Sequence, residues 1–120
     1  MFEKLPQSQD GVLGFKATGK LTDKDYQETL NPELERAFAE HGKVSVLILF
    51  EDFHGWELHA AWDDAALGFK HYNDFKRMAL VDAPEYVAVA MRMFAPFFPG
   101  QVRSFSGNDA DAAWAWVHGA

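Results

Sequence analysis

The stretch KVSVLILFEDF, residues 43–53, runs straight into His54-Gly55-Trp56. Val44, Val46, Leu47, Ile48, Leu49 and Phe50 form an almost unbroken apolar run, too short for a membrane span and rich in β-branched side chains. Such a run predicts a strand covered on both faces, and we take it as the centre of a sheet. Its polar end falls where open α/β sheets place their binding crevices, beyond the carboxyl end of a middle strand. Asp52, His54, Gly55, Trp56 and Glu57, with Asp82 at the end of the next strand, are therefore the candidate binding loop.

Upstream of the central strand, Phe2 to Leu5 reads as a short edge strand ended by Pro6, and Asp10-Gly11 is a hairpin-type turn. Val12 to Leu21 alternates imperfectly and predicts a second strand. Thr22 is a good N-cap, with Asp23 and Asp25 in the first turn, and Tyr26, Leu30, Leu34, Ala37 and Phe38 recur at helical spacing up to Gly42. Pro32 lies inside that pattern and cannot donate to the backbone ladder, so two abutting helical pieces are expected.

Downstream, residues 56–72 predict a helix whose apolar stripe, Leu58, Trp62, Ala65, Ala66, Phe69 and Tyr72, should face the sheet. Phe75 to Val81 is a strand stopped by Asp82-Ala83-Pro84. Residues 85–94 form a helix, Gln101 to Phe105 a last strand, and Ala110 to Val117 a closing helix. The order is β-β-α-β-α-β-α-β-α, a mixed, mostly parallel five-stranded sheet with four helices, an α/β fold in one domain spanning residues 1–120.

Composition narrows the function classes. A net charge of −7 with only 11 Lys and Arg opposes binding to nucleic-acid phosphates or an anionic membrane surface, since both require a concentrated positive patch. The chain contains no Cys, which excludes disulfides, thiolate metal sites and Cys nucleophiles. No run approaches the roughly 20 apolar residues of a membrane span, and the N-terminus lacks a signal pattern. A cytoplasmic protein is expected.

Several short matches then point to a family. Gly19-Lys20-Leu21-Thr22 leading to Asp25-Tyr26, Leu30-Asn31-Pro32-Glu33-Leu34, the apolar strand ending at Phe53, residues 75–81, and Val102-Arg103-Ser104-Phe105 before residues 112–117 resemble the SpoIIAA-like (STAS/SEC14 domain-containing) bacterial proteins. The resemblance implies a small STAS-type sandwich. The wider STAS group includes anti-sigma factor antagonists, which bind a partner kinase and are switched by phosphorylation of a Ser or Thr where the helix after the central strand begins. Here no Ser or Thr lies between Ser45 and Ser104, so the phospho-switch is absent. The SEC14 name refers to lipid carriers of related sheet architecture, which is analogy at the level of the fold.

Candidate chemistry is sparse. His54, Glu57 and His59, with Asp52 and Asp63, are ligand types, and His59 and Asp63 share a helix face. His54 lies in the preceding loop, so no metal site is assigned, and no cofactor. Asp52 beside His54 could tune a proton transfer, but no nucleophile or phosphate cradle accompanies them. The segment from Glu85 to Phe98 is apolar nearly all round, which suggests a self-association surface with Val87, Met91, Phe94 and Phe98 on its outer face. The leading expectation is a non-enzymatic regulatory or binding domain acting by protein contact, as a homodimer. The alternatives are a carrier or sensor of a small apolar, lipid-like molecule, and an enzyme using the Asp52/His54 loop.

Overall fold

A computed structural model describes residues 1–119. Strand β1 (Phe2–Lys4) pairs antiparallel with β2 (Val12–Leu21), from Phe2 opposite Ala17 to Lys4 opposite Phe15. The predicted turn forms at Asp10-Gly11. Gln9 and Val12 exchange both backbone hydrogen bonds, at 2.9 Å each, and φ is +50° at Asp10 and +79° at Gly11. Positive φ at both central residues gives the turn whose twist matches the flanking strands. Strands β3 (Val44–Trp56), β4 (Phe75–Val81) and β5 (Gln101–Phe105) continue the sheet in parallel, in the order β1-β2-β3-β4-β5.

Four helical units connect and close the sheet. The first begins with a capping box, in which the Asp25 N–H donates to Thr22 Oγ1 at 3.2 Å and the Thr22 N–H to Asp25 Oδ2 at 2.9 Å. After the short turn Asp23–Asp25 comes a π-helical stretch, Tyr26–Leu30, and then α1 (Asn31–His41), which carries Pro32 in its first turn. Pro32 cannot donate, and the chain accommodates it by widening the preceding turn, so that the Asn31 N–H reaches the Tyr26 carbonyl. The backbone stays helical through Leu30 and Asn31, so in place of the expected break between two pieces Pro32 is met by a π-helical stretch. Helix α1 ends at Gly42, where φ is +76°.

Helices α2 (Leu58–Lys70) and α3 (Glu85–Phe94, continued by a 3₁₀ turn at Ala95–Phe97) connect β3 to β4 and β4 to β5. Because each parallel strand lies beside its predecessor and every step runs the same way, right-handed crossovers put α1, α2 and α3 on one face. Helix α4 (Ala110–Val117) covers the other. The larger core joins Leu13, Phe15 and Ala17 of β2 with Val44, Val46 and Phe50 of β3, Leu34 and Phe38 of α1, and Val87 of α3. The smaller joins Val12, Leu47, Ala79 and Val81 with Ala113 and Val117 of α4. The central strand is thus covered on both faces as its apolar run predicts, and burying a side chain such as Leu47 contributes roughly 1.5–3 kcal/mol.

The facing of two helices is the reverse of the sequence expectation. Helix α2 turns Ala60, Asp63 and Leu67 inward, followed by His71 just beyond its end, while Leu58, Trp62 and Phe69 are 91%, 72% and 84% exposed. Ala65, Ala66 and Tyr72 are exposed as well. In α3, Val87 is buried and Met91 and Phe98 are half-buried against the core, so the outward face is Tyr86, Val89, Met93, Phe94 and Phe97; of the predicted outer set only Phe94 lies there. A helix that is apolar nearly all round offers no polar side to orient it, and the fit against β4 and β5 decides. Among the described residues no helix is long and apolar enough to cross a membrane.

Candidate functional site

The predicted binding loop is largely strand. β3 continues through Glu51-Asp52-Phe53-His54 to Trp56, still paired with β2, with Gly19 opposite Phe53 and Leu21 opposite Trp56. Two register shifts accompany this extension, and Asp52 (φ +48°) and Gly55 (φ +93°) absorb the bend. A polar strand end can remain in the sheet because a bulge re-aims its side chains toward water. Asp52 and His54 are exposed, and neither forms a side-chain hydrogen bond among the described residues. Glu57 is exposed at the N-cap of α2, and its N–H donates to the Leu21 carbonyl at 2.8 Å.

Asp82 serves a neighbouring junction. It lies beyond β4 at φ +58°, where its Oδ1 accepts from the Gly107 N–H at 3.2 Å and its own N–H donates to the Phe105 carbonyl at 2.9 Å. These bonds tie the ends of β4 and β5 together. Gly55 is approached by α3, since a Cβ there would stand 3.5 Å from Tyr86 Oη.

Trp56 leads to a network that the sequence does not announce. Its Nε1–H donates to Tyr26 Oη at 2.7 Å, and the Tyr26 hydroxyl donates to Asp64 Oδ1 at 2.9 Å. Tyr26 is buried, its ring edge-on to Phe2 at 5.2 Å, and burial with the nearby Asp64 carboxylate pushes its phenol well above the ordinary range. This chain joins β3, the π-helical stretch and α2.

A second polar group fixes the other end of α2. His71 is buried and stacked on Phe38 at 4.1 Å, with Nδ1 2.7 Å from Asp74 Oδ2 and Nε2 2.7 Å from Glu35 Oε1. Desolvation acts to lower its pKa, but the two carboxylates outweigh it and the net shift is upward. Glu35 is lowered, chiefly by its bond to His71.

Between these groups, Asp63 on the inner face of α2 meets Asp23 at the start of the first helical unit. His59, one turn earlier, has Nε2 3.7 Å from Asp23 Oδ1 and 3.8 Å from Asp63 Oδ1. One donor atom from each of the three lies within 4.8 Å of the others. The Asp23 carboxylate, and then loss of water, raises the pKa of Asp63. Of the ligand types in the sequence, the structure joins His59 and Asp63 to Asp23, while His54, Glu57 and Asp52 stand elsewhere. The i,i+4 spacing of His59 and Asp63 was the readable half of this cluster.

The parallel sheet with an antiparallel β1 edge, three helices on one face and one on the other, agrees with the comparisons. A family model described as SpoIIAA-like matches residues 12–118. This chain belongs to the SpoIIAA-like family. A crystal structure with a SpoIIAA-like fold, of an uncharacterised protein of the DUF3478 family from Shewanella loihica PV-4, is 38% identical to it. The match covers 98% of this chain and 92% of that one, with a TM-score of 0.75. No curated protein matches the chain. Within this SpoIIAA-like chain the junction from β3 to α2 is Phe53-His54-Gly55-Trp56-Glu57-Leu58-His59, which carries no hydroxyl side chain.

Proposed function

We propose that this SpoIIAA-like chain is a non-enzymatic binding domain that works through protein–protein contact and pairs with a second copy of itself. The observation that carries the reading is the orientation of α2. Its strongly apolar stripe, Leu58, Trp62 and Phe69, stands in water while Asp63 and His71 point inward. A local rule broken on a surface marks an interaction site more often than a flaw in packing. Tyr86, Val89, Met93, Phe94 and Phe97 of α3 and its 3₁₀ turn extend the apolar surface, and Arg92 is its one charge between Glu85 and Arg103. Tyr72 links the two helices, its hydroxyl donating to the Phe97 carbonyl and its ring edge-on to Phe98 at 6.3 Å. Desolvating such a surface against a symmetric copy strands few charges.

The absence of a hydroxyl at the β3–α2 junction supports constitutive contact over a phospho-switched one. Light scattering at micromolar concentration tests the proposal. The unmutated chain should be a dimer, and Trp62→Glu with Phe94→Lys should give a folded monomer that binds less hydrophobic dye. A monomeric parent protein would refute the dimer. Native mass spectrometry would then look for a retained apolar molecule, because Met91, Ala95 and Val102 line an open groove between α3 and β5 beside Arg92 and Arg103.

A further inference from the structure

We propose that Asp23, His59 and Asp63 form a binding site for a divalent first-row transition-metal cation, which fastens α2 to the start of the first helical unit. The geometry supplies two carboxylates and one imidazole from two elements far apart in sequence, with the His59 nitrogen 3.7 Å and 3.8 Å from the facing oxygens. A cation about 2.1 Å from each donor needs them roughly 3–3.4 Å apart, so modest side-chain rotations close the set. His59 is exposed and free to make most of that movement.

The independent observation lies in the carboxylates themselves. The Asp63 side chain is 9% exposed, and its Oδ2 is buried with no hydrogen-bond partner. Asp23 Oδ1 is likewise buried and without one. Buried carboxylate oxygens in folded proteins are paired, hydrogen-bonded or coordinated to a metal. Among the described residues no Lys or Arg forms a salt bridge with either Asp; the nearest in sequence, Lys24, pairs outward with Glu28. Two carboxylates that face each other with only the His59 imidazole beside them leave negative charge that a divalent ion would balance. Imidazole with carboxylate suits Zn²⁺, Mn²⁺, Fe²⁺ or Co²⁺ better than Mg²⁺ or Ca²⁺, which take oxygen ligands, and three protein donors leave positions for water.

The position gives the ion a structural task. The inner face of α2 buries only Ala60, Asp63 and Leu67, so little apolar contact holds it to the body of the protein. A bound ion would fasten the N-terminal half of the helix, as the His71 cluster fastens the end.

The experiment uses the full chain, stripped with a chelator and titrated by calorimetry with Zn²⁺ and with Mn²⁺, alongside Co²⁺ visible absorption. We expect one ion per chain, a raised thermal midpoint, and ligand-field bands with Co²⁺. Asp63→Asn and His59→Ala should each weaken binding by more than about tenfold, since even groups that merely orient ligands are worth that much. Lys24→Ala should not change it. Circular dichroism verifies that each variant is folded, and Asp63→Asn, nearly isosteric, should raise the metal-free midpoint by removing the facing charge. Stoichiometric binding that survives both ligand substitutions would place the ion elsewhere and overturn the proposal. So would a chain that binds none of these ions; stabilisation by Asp63→Asn would then mean that the carboxylates share a proton only.

Discussion

Replacing His71 with Phe should weaken the fold most near pH 6 and barely affect it in base. Phe keeps the stacking on Phe38 and fills a similar volume, so the substitution removes chiefly the bonds to Asp74 Oδ2 and Glu35 Oε1, each 2.7 Å. A hydrogen bond to a charged group contributes about 1.5–3 kcal/mol. The His71 side chain is nearly buried, but Glu35 and Asp74 are 41% and 42% exposed, so water screens both pairs. We therefore expect a loss of about 2 kcal/mol near pH 6, below the sum of two fully buried bonds. The imidazole is raised above its ordinary value of 6.5. Its contribution is accordingly complete below that value and lost as pH rises through the folded-state pKa. Glu35 is lowered from 4.5, so its share is present above that value and lost as pH falls through the folded-state pKa. Stability from the cluster is greatest between these limits. Urea unfolding of parent and variant should show a difference in free energy that is largest near pH 6 and shrinks to under about 1 kcal/mol near pH 9, where a neutral ring donates to only one carboxylate. A difference that does not change with pH would refute the assignment of an imidazolium held by two anions.

Two further outcomes follow from packing and composition. A Cβ on Gly14 would lie 2.2 Å from Trp114 Cη2, so Gly14→Ala must displace the indole; we expect a cost of about 1–3 kcal/mol with a changed tryptophan emission, and an unaltered denaturation midpoint would contradict the close approach. Incubation with a bacterial anti-sigma kinase and ATP should leave residues 46–103 unmodified on mass analysis, because Tyr72 and Tyr86 are the segment's only hydroxyl side chains, and a phosphopeptide from it would overturn this.

Element positions were legible because each was marked by a local device. Thr22 caps with Asp25, Asp10-Gly11 turns, Gly42 ends a helix, and Pro32 marks where a π-helical stretch gives way to α-helix. The apolar run of residues 44–50 could only be a strand enclosed by two layers. Ile48 still emerges half-buried, because burial along a strand depends on the helices that reach it. The facing of α2 was not legible. Periodicity reveals that a stripe exists but not which side of the helix meets the sheet, and the groups that decide it are Asp23 opposite Asp63, Asp64 beneath Tyr26, and Glu35 against His71. Each contact joins residues 36–40 positions apart, beyond any local pattern. The stretch around Asp52 and His54 reads as loop for the opposite reason, since its polar composition conceals a strand that continues through a bulge.

The uninterrupted strand order has a kinetic consequence. Each strand pairs only with its neighbours in the chain, so every sheet contact closes over one hairpin or one helix. Loop closure then costs little entropy at any step, in contrast to sheets whose middle strand is contributed last. By the time Trp56 leaves a ribosome, β1, β2 and β3 with α1 between them are all available, including the longest pairing in the sheet. The later β-α units can then add one at a time to an edge that is already formed. Throughout such growth one edge is the three-residue β1 and the other is the newest strand, so until β5 is in place the advancing edge waits only for the chain's own next segment.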